Sequence, residues 1–175
     1  PLLILEEELQ NSTENKKGRK IFLFSFFSFF LFNLITTYWI YHATLFGAIA
    51  AFLVNAILMS TAFYLFHKVK AVSKNRLGYF AFIVFWISME YLHLNWEFSW
   101  PWLTLGNGFS KAPNIVQWYE FTGVLGGSFW VLIMNILIFR LVQTKNLKAL
   151  VLPFLFLISP FLYSFYIIPN IKNED

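Results

Sequence analysis

The chain contains no cysteine among its 175 residues. That excludes disulfides, thiolate metal sites and a cysteine nucleophile within it. Charge is scarce: Asp, Glu, Lys and Arg make up 13% of residues, against about 25% in soluble domains. A chain this poor in charge is neither a disordered segment nor an ordinary soluble domain. No unit repeats at solenoid spacing. Gly-x-Ser-x-Gly, phosphate-loop, His-Glu-x-x-His and dinucleotide fingerprints are all missing, as is a voltage-sensor ladder of arginines, so no cofactor is expected. No secretory signal precedes the apolar residues 1–5, which read as the tail of an earlier membrane span in a chain expected to be a fragment.

What is present is apolar surface. Hydrophobic residues make up 58%, aromatics 22%, and the mean hydropathy is +0.61. A helix rises about 1.5 Å per residue, so about 20 apolar residues cross a hydrocarbon core of about 30 Å. Residues 21–41, 43–66 and 121–139 carry no charge at all. The expected fold is all-α: a polytopic transmembrane helix bundle over 1–168, with spans near 21–41, 43–66, 77–95, 117–140 and 149–168, and an outer loop at 96–116. Residues 169–175 are expected to lead out of the bundle. Pro153 and Pro160 should bend or interrupt the fifth span.

The basic residues orient the spans. Lys16, Lys17, Arg19 and Lys20 precede the first span, Lys68, Lys70, Lys74 and Arg76 follow the second, and Arg140, Lys145 and Lys148 follow the fourth. Of the 13 Lys and Arg, only Lys111 and Lys172 fall elsewhere. Alternating connections put the basic loops on the cytoplasmic side, and the 96–116 loop and the C-terminus outside. The net charge of +4 is thus topogenic and scattered, without a basic helix or stacking platform, which argues against nucleic acid.

Four of the seven tryptophans, Trp96, Trp100, Trp102 and Trp118, cluster in or beside the outer loop. Pro101, Gly106, Asn107, Gly108 and Pro113 accompany them and break helix. An interfacial aromatic belt explains scattered tryptophans. A Trp-Pro-Trp followed by glycines fits a half-buried loop that handles lipid.

A charge inside a span marks function or a partner within the bundle. Glu90 lies about 17 Å along the helix from Tyr79. Trp86, Glu90, His93 and Glu97 share one helical face if the helix continues that far. That stripe either ties the bundle together or positions a lipid headgroup or amine. Glu90-x-x-His93 is only one half of a di-iron motif, so no metal is expected. His42 and His67 stand alone in the sequence and read as interfacial. Asn33, Asn55 and Asn135 suit interhelical hydrogen bonds, and Gly123-x-x-Gly126-Gly127 suits close helix approach. Glu120, where the chain re-enters the membrane, suits a helix N-terminus or the cavity of Glu90.

The segment from Glu90 through Gly108 resembles the membrane domain of bacterial apolipoprotein N-acyltransferases. The matching residues are Glu90-Tyr91-Leu92, Pro101-Trp102-Leu103, Gly106 and the run Gln117…Gly123…Gly126, with Tyr38-Trp39-Ile40 and Gly47 upstream. The resemblance implies eight spans with a nitrilase-like domain inserted on the outer side between the seventh and eighth. This chain would hold the third to seventh. It implies a bacterial inner-membrane enzyme that takes an acyl chain from a phospholipid onto a Glu-Lys-Cys triad. The enzyme then passes the chain to the N-terminal diacylglyceryl-cysteine of a lipoprotein. With no cysteine, this chain would lack the triad. The polar stripe, the outer loop and the resemblance together give the expected substrate contacts: Glu90, His93, Trp100, Pro101, Trp102, Gly106, Asn107, Gln117 and Glu120. His93 stands where that family often has Arg, replacing a permanent cation with a group that titrates near neutrality. The competing reading is a small transporter or lipid-binding membrane protein without catalysis.

The topology predicts that a periplasm-active reporter fused after Asp175 is active and one fused after Arg76 is silent. The reverse pattern would invert the assignment of every loop.

Overall fold

A computed structural model of the chain describes all of its residues except 74–76, 98, 100, 146–149 and 172–175, and only the backbone of 167–171. Among the described residues it is all-α, with no strand. The helices are α1 (Leu2–Asn11), α2 (Lys17–Thr37), α3 (Leu45–Val72), α4 (Gly78–Asn95), α5 (Tyr119–Thr144) and α6 (Val151–Ile171). Two compact units divide the chain at Pro1–Met89 and Glu90–Asp175. Three stretches are long and apolar enough to cross a membrane by length and composition: Lys17–His42, Leu45–Val72 and Tyr119–Thr144. The other two expected spans fall on helices outside that set: α4, whose last turns carry Glu90, His93 and Asn95, and α6, a shorter apolar helix over Val151–Tyr166.

In the first unit, α2 passes into a 3-10 turn at Tyr38–His42 before α3 begins. The hydroxyls of Thr36 and Thr37 donate back to Phe32 O at 2.7 Å and Asn33 O at 2.6 Å. Such back-bonding competes with the helical ladder and tends to bend a helix, here at its end. Thr44 then caps α3, its side chain accepting from Gly47 N.

The core of this unit is a chain of aromatic rings. Phe29 of α2 meets Phe63 of α3 and Trp86 of α4 at 6.4 and 5.4 Å between centroids. Phe82 lies 5.1 Å from Phe66 and 6.0 Å from Trp86. Edge and tilted contacts of this kind add to the burial of large apolar area. Outward, Phe24, Phe27, Leu31 and Ile35 of α2 stand exposed. A patch like this is unusual on a soluble monomer and ordinary against lipid. Asn33 donates to Phe29 O of its own helix at 2.7 Å and reaches across only to Met59 Sδ at 3.5 Å. Asn135, in the second unit, is exposed and bonds Val131 O of its own helix. Asn33 therefore bridges α2 and α3 as expected, though to a sulfur, whereas the Asn135 bond stays within its own helix.

Two further expectations are corrected here. His67 is not alone, and Lys70 is not a free loop charge. The helix α3 runs past the uncharged segment to Val72 and takes both residues inward. His67 Nδ1 lies 2.8 Å from Glu6 Oε1, while Lys70 Nζ donates to Glu6 Oε2 and Glu7 Oε2, each at 2.5 Å. The Glu6 and Lys70 side chains are 0% and 1% exposed. Gly78 makes the room: a Cβ there would lie 2.6 Å from Lys70 Cγ. The stretch 1–5, expected as the tail of a span, belongs to α1, which continues through Glu6, Glu7 and Glu8.

A buried charge stripped of its partner costs about 3–5 kcal/mol. Lys70→Met should therefore lower the unfolding midpoint of the detergent-solubilised protein far more than Lys68→Met, since Lys68 is exposed. Equal effects of the two substitutions would show that the cluster contributes nothing to stability.

Candidate functional site

The second unit is built around the loop that follows α4. The chain leaves the helix after Asn95 and forms three 3-10 turns, at Pro101–Leu103, Leu105–Phe109 and Pro113–Ile115. Proline at the first position of a turn loses no needed donor and presets φ. Pro101 O accepts twice, from Thr104 N at 3.3 Å and from Asn107 Nδ2 at 2.7 Å. Asn107 N in turn donates to Thr104 O at 2.9 Å. The segment from Pro101 to Asn107 is thereby closed on itself.

Side chains of two helices anchor the middle of this segment. Leu105 N donates to Glu90 Oε1 at 2.9 Å, and Gly106 N to Ser128 Oγ at 3.0 Å. The Tyr119 hydroxyl donates to Gly106 O at 2.9 Å. Glycines permit the approach. A Cβ on Gly106 would sit 2.0 Å from Val124 O. A Cβ on Gly127 would sit 1.9 Å from the Tyr119 hydroxyl oxygen and 2.9 Å from Gly106 Cα. Gly123 has φ 63° and ψ −174° and interrupts the helical backbone of α5. That region of conformational space is open essentially to glycine alone. Of the glycine-rich run, Gly127 lies against the loop at Gly106, Gly123 breaks the helical backbone, and Gly126 faces Thr122 of its own helix.

A second set of contacts ties the end of the loop to α6. Gln117 N donates to Ser164 Oγ at 3.1 Å, and the Ser164 hydroxyl donates to Pro160 O at 2.9 Å. Pro160 has no N–H, so the carbonyl four residues earlier, at Phe156, loses its helical donor. The Trp130 indole supplies one instead, at 3.0 Å. Trp130 is buried and also meets Phe109, Trp118 and Phe161 at 5.4, 6.3 and 5.7 Å between centroids.

The residues singled out from the sequence fall into distinct groups. Glu90, His93 and Gly106 are buried. His93 packs its ring edge-on to Trp96, and its Nδ1 has no hydrogen-bond partner among the described residues. Pro101 and Asn107 are half-buried and bonded to each other. Gln117 is half-buried, its side chain on Pro113 O at 3.0 Å. Trp102 is 61% exposed. Glu120 is exposed in the first turn of α5, where a carboxylate favours the helix N-terminus, apart from the buried environment of Glu90. Trp100 lies outside the described residues. Glu97 does not extend the stripe, because α4 ends at Asn95 and Glu97 is exposed in the turn beyond. No group of three or more metal-ligating side chains occurs among the described residues.

Tyr119, Ser128, Trp130 and Ser164 were not anticipated. The signal was available for the serines: polar residues inside long apolar runs, the same anomaly that singles out Glu90.

The sequence matches the apolipoprotein N-acyltransferase N-terminal domain over residues 1–137. The chain belongs to that family. It is also similar to an apolipoprotein N-acyltransferase of Chlorobaculum tepidum, with 32% identity over 122 residues, which is 70% of this chain and 23% of that relative. The chain thus spans less than a quarter of the relative it matches. No solved structure matches it significantly. The region matched to the acyltransferase N-terminal domain contains Glu90, the whole loop, Ser128 and Trp130, and stops before α6.

In this acyltransferase-family chain, Gly106→Ala should lower the unfolding midpoint, by an overpacking cost of about 1–3 kcal/mol. Gly108→Ala is the control, since a Cβ there meets nothing within 4 Å. A Gly106 variant as stable as the Gly108 variant would contradict the close seating of the loop.

Proposed function

We propose that the chain is the membrane module of an apolipoprotein N-acyltransferase of the bacterial inner membrane. The whole enzyme transfers an acyl chain from a phospholipid to the N-terminal diacylglyceryl-cysteine of lipoproteins. The family match over residues 1–137 carries this reading. The chemistry of the chain agrees with a supporting role: with no cysteine in its sequence, it offers no thiolate to carry an acyl thioester. The C-terminus is read as periplasmic, leading toward a nitrilase-like domain.

Within the module, the substrate-facing residues are the nine named from the sequence, with roles divided by exposure. Trp102 presents an aromatic face to an acyl chain at the entrance. Glu90, Pro101, Gly106, Asn107 and Gln117 hold the loop that carries it. His93 lends a polar atom to the buried side of the same loop, Glu120 stands in the first turn of α5, and Trp100 precedes Pro101 in sequence. Phospholipid is the acyl donor and lipoprotein the acceptor.

The test is complementation. The complete reading frame containing this chain should restore lipoprotein N-acylation in cells depleted of their own acyltransferase, read by mass spectrometry of the lipoprotein N-terminal peptide. Residues 1–175 alone should not. Failure of the complete protein to acylate would favour a non-catalytic transporter or lipid-binding protein. N-acylated product made by residues 1–175 alone would show that the chemistry does not need the missing thiol.

A further inference from the structure

Trp102 is a large apolar side chain left mostly exposed on a loop, yet the backbone beneath it is held at many points. The Pro101 carbonyl, immediately before it, takes the Thr104 amide and the Asn107 side chain. Thr104 itself is buried. Three residues beyond Trp102, the Leu105 amide is fixed by Glu90, and both backbone groups of Gly106 are fixed by α5, its N–H by Ser128 Oγ and its carbonyl by the Tyr119 hydroxyl. Ser128 is 0% exposed. The Tyr119 hydroxyl occupies space that a side chain at Gly127 would fill. Nothing about Ser128 or Tyr119 suggests contact with a substrate. Their hydroxyls are spent on one glycine of the loop.

We propose that Ser128 and Tyr119 are positioning residues for acyl transfer: they clamp the Gly106 peptide and so set the direction in which Trp102 is presented. The inference rests on the reading of Trp102 as the residue that meets acyl substrate. An unclamped turn would let Trp102 sample many orientations, and a misoriented contact loses much of what a positioned one contributes. Both residues can be stripped of the relevant atom with little change of shape, by Ser128→Ala and Tyr119→Phe.

The test uses the full-length protein carrying this chain, with Ser128→Ala, Tyr119→Phe and Trp102→Ala made singly and Trp102→Ala combined with each of the others. Amide hydrogen exchange across 105–107 reports the clamp independently of activity. Turnover is measured with phospholipid donor at limiting and saturating concentration, alongside membrane abundance. Losing one buried hydrogen bond corresponds to about a fivefold change in the local opening equilibrium. Ser128→Ala and Tyr119→Phe should each speed exchange at the Gly106 amide by at least about that factor. Each should lower turnover by about fivefold or more at close to wild-type abundance. Neither should lower it further in the Trp102→Ala background, since the residue they position is then gone. Unchanged exchange would overturn the clamp. Faster exchange with wild-type turnover, or losses that multiply with that of Trp102→Ala, would overturn its role in the reaction. Full activity of Trp102→Ala alone would remove the reading of Trp102, and the positioning role with it.

Discussion

Irregular backbone that is buried must have its N–H and C=O groups satisfied by something other than a helical ladder, and that constraint organises the second unit. An unsatisfied buried peptide group costs about 1–3 kcal/mol, and several kcal/mol in hydrocarbon. The loop after α4 meets the demand with side chains. Glu90, Ser128 and Tyr119 serve the peptide groups around Gly106, Asn107 serves Pro101 O, and Ser164 serves Gln117 N. The same demand recurs within α6, where the carbonyl freed by Pro160 is taken by the Trp130 indole. Apart from Asn107, which belongs to the loop itself, the polar side chains in that list come from helices otherwise rich in apolar residues. Their presence there follows from the backbone they serve.

The first unit solves a related problem with charge. Lys70 cannot be buried without compensation, and Glu6 cannot either. Paired, they let the acidic α1 dock against the C-terminal turns of α3. His67 adds its Nδ1 to the same Glu6 carboxylate, on the other oxygen. The arrangement also shows how far a count of basic residues carries. Lys70 is a cation by sequence and sits with the loop lysines in that count, but its charge is spent inside the fold. The orientation expected from the sequence rests on the other basic residues of the connections, Lys16, Lys17, Arg19 and Lys20 among them.

Long apolar runs were legible because their signal is local: twenty residues without charge can hardly be anything else. The helices α2, α3 and α5 follow from that alone. The end of α4 was less legible. The spacing of Glu90, His93 and Glu97 looks helical, but the chain needs to turn after Asn95 to bring Leu105 back to Glu90, and that pairing is fifteen residues distant. The ion cluster was illegible for the same reason in stronger form, since Glu6 and Lys70 lie 64 residues apart. The glycines were legible as a place of close approach, and the fold shows that at Gly127 the approaching element is the loop residue Gly106. Ser128 and Ser164 carried a readable anomaly, a hydroxyl among apolar residues, that the larger anomaly of Glu90 overshadowed.

This changes what a charged residue in an apolar helix means here. Read from sequence, Glu90 either tied the bundle together or positioned a headgroup or amine at the outer face. In the fold, its Oε1 is committed to the Leu105 amide, and the residue is buried. A carboxylate is well suited to that task, because it offers several acceptor sites and bonds an N–H more strongly than a neutral oxygen does. The energetic cost of placing a charge in an apolar setting is then met by fixing a turn. The turn in its turn holds an exposed tryptophan. The polar group nearest in sequence with an uncommitted atom is His93, whose Nδ1 has no partner among the described residues. On the proposed reading, a polar contact on this side of the loop would come from His93 and contact with an apolar chain from Trp102. Glu90 holds the backbone of the same loop.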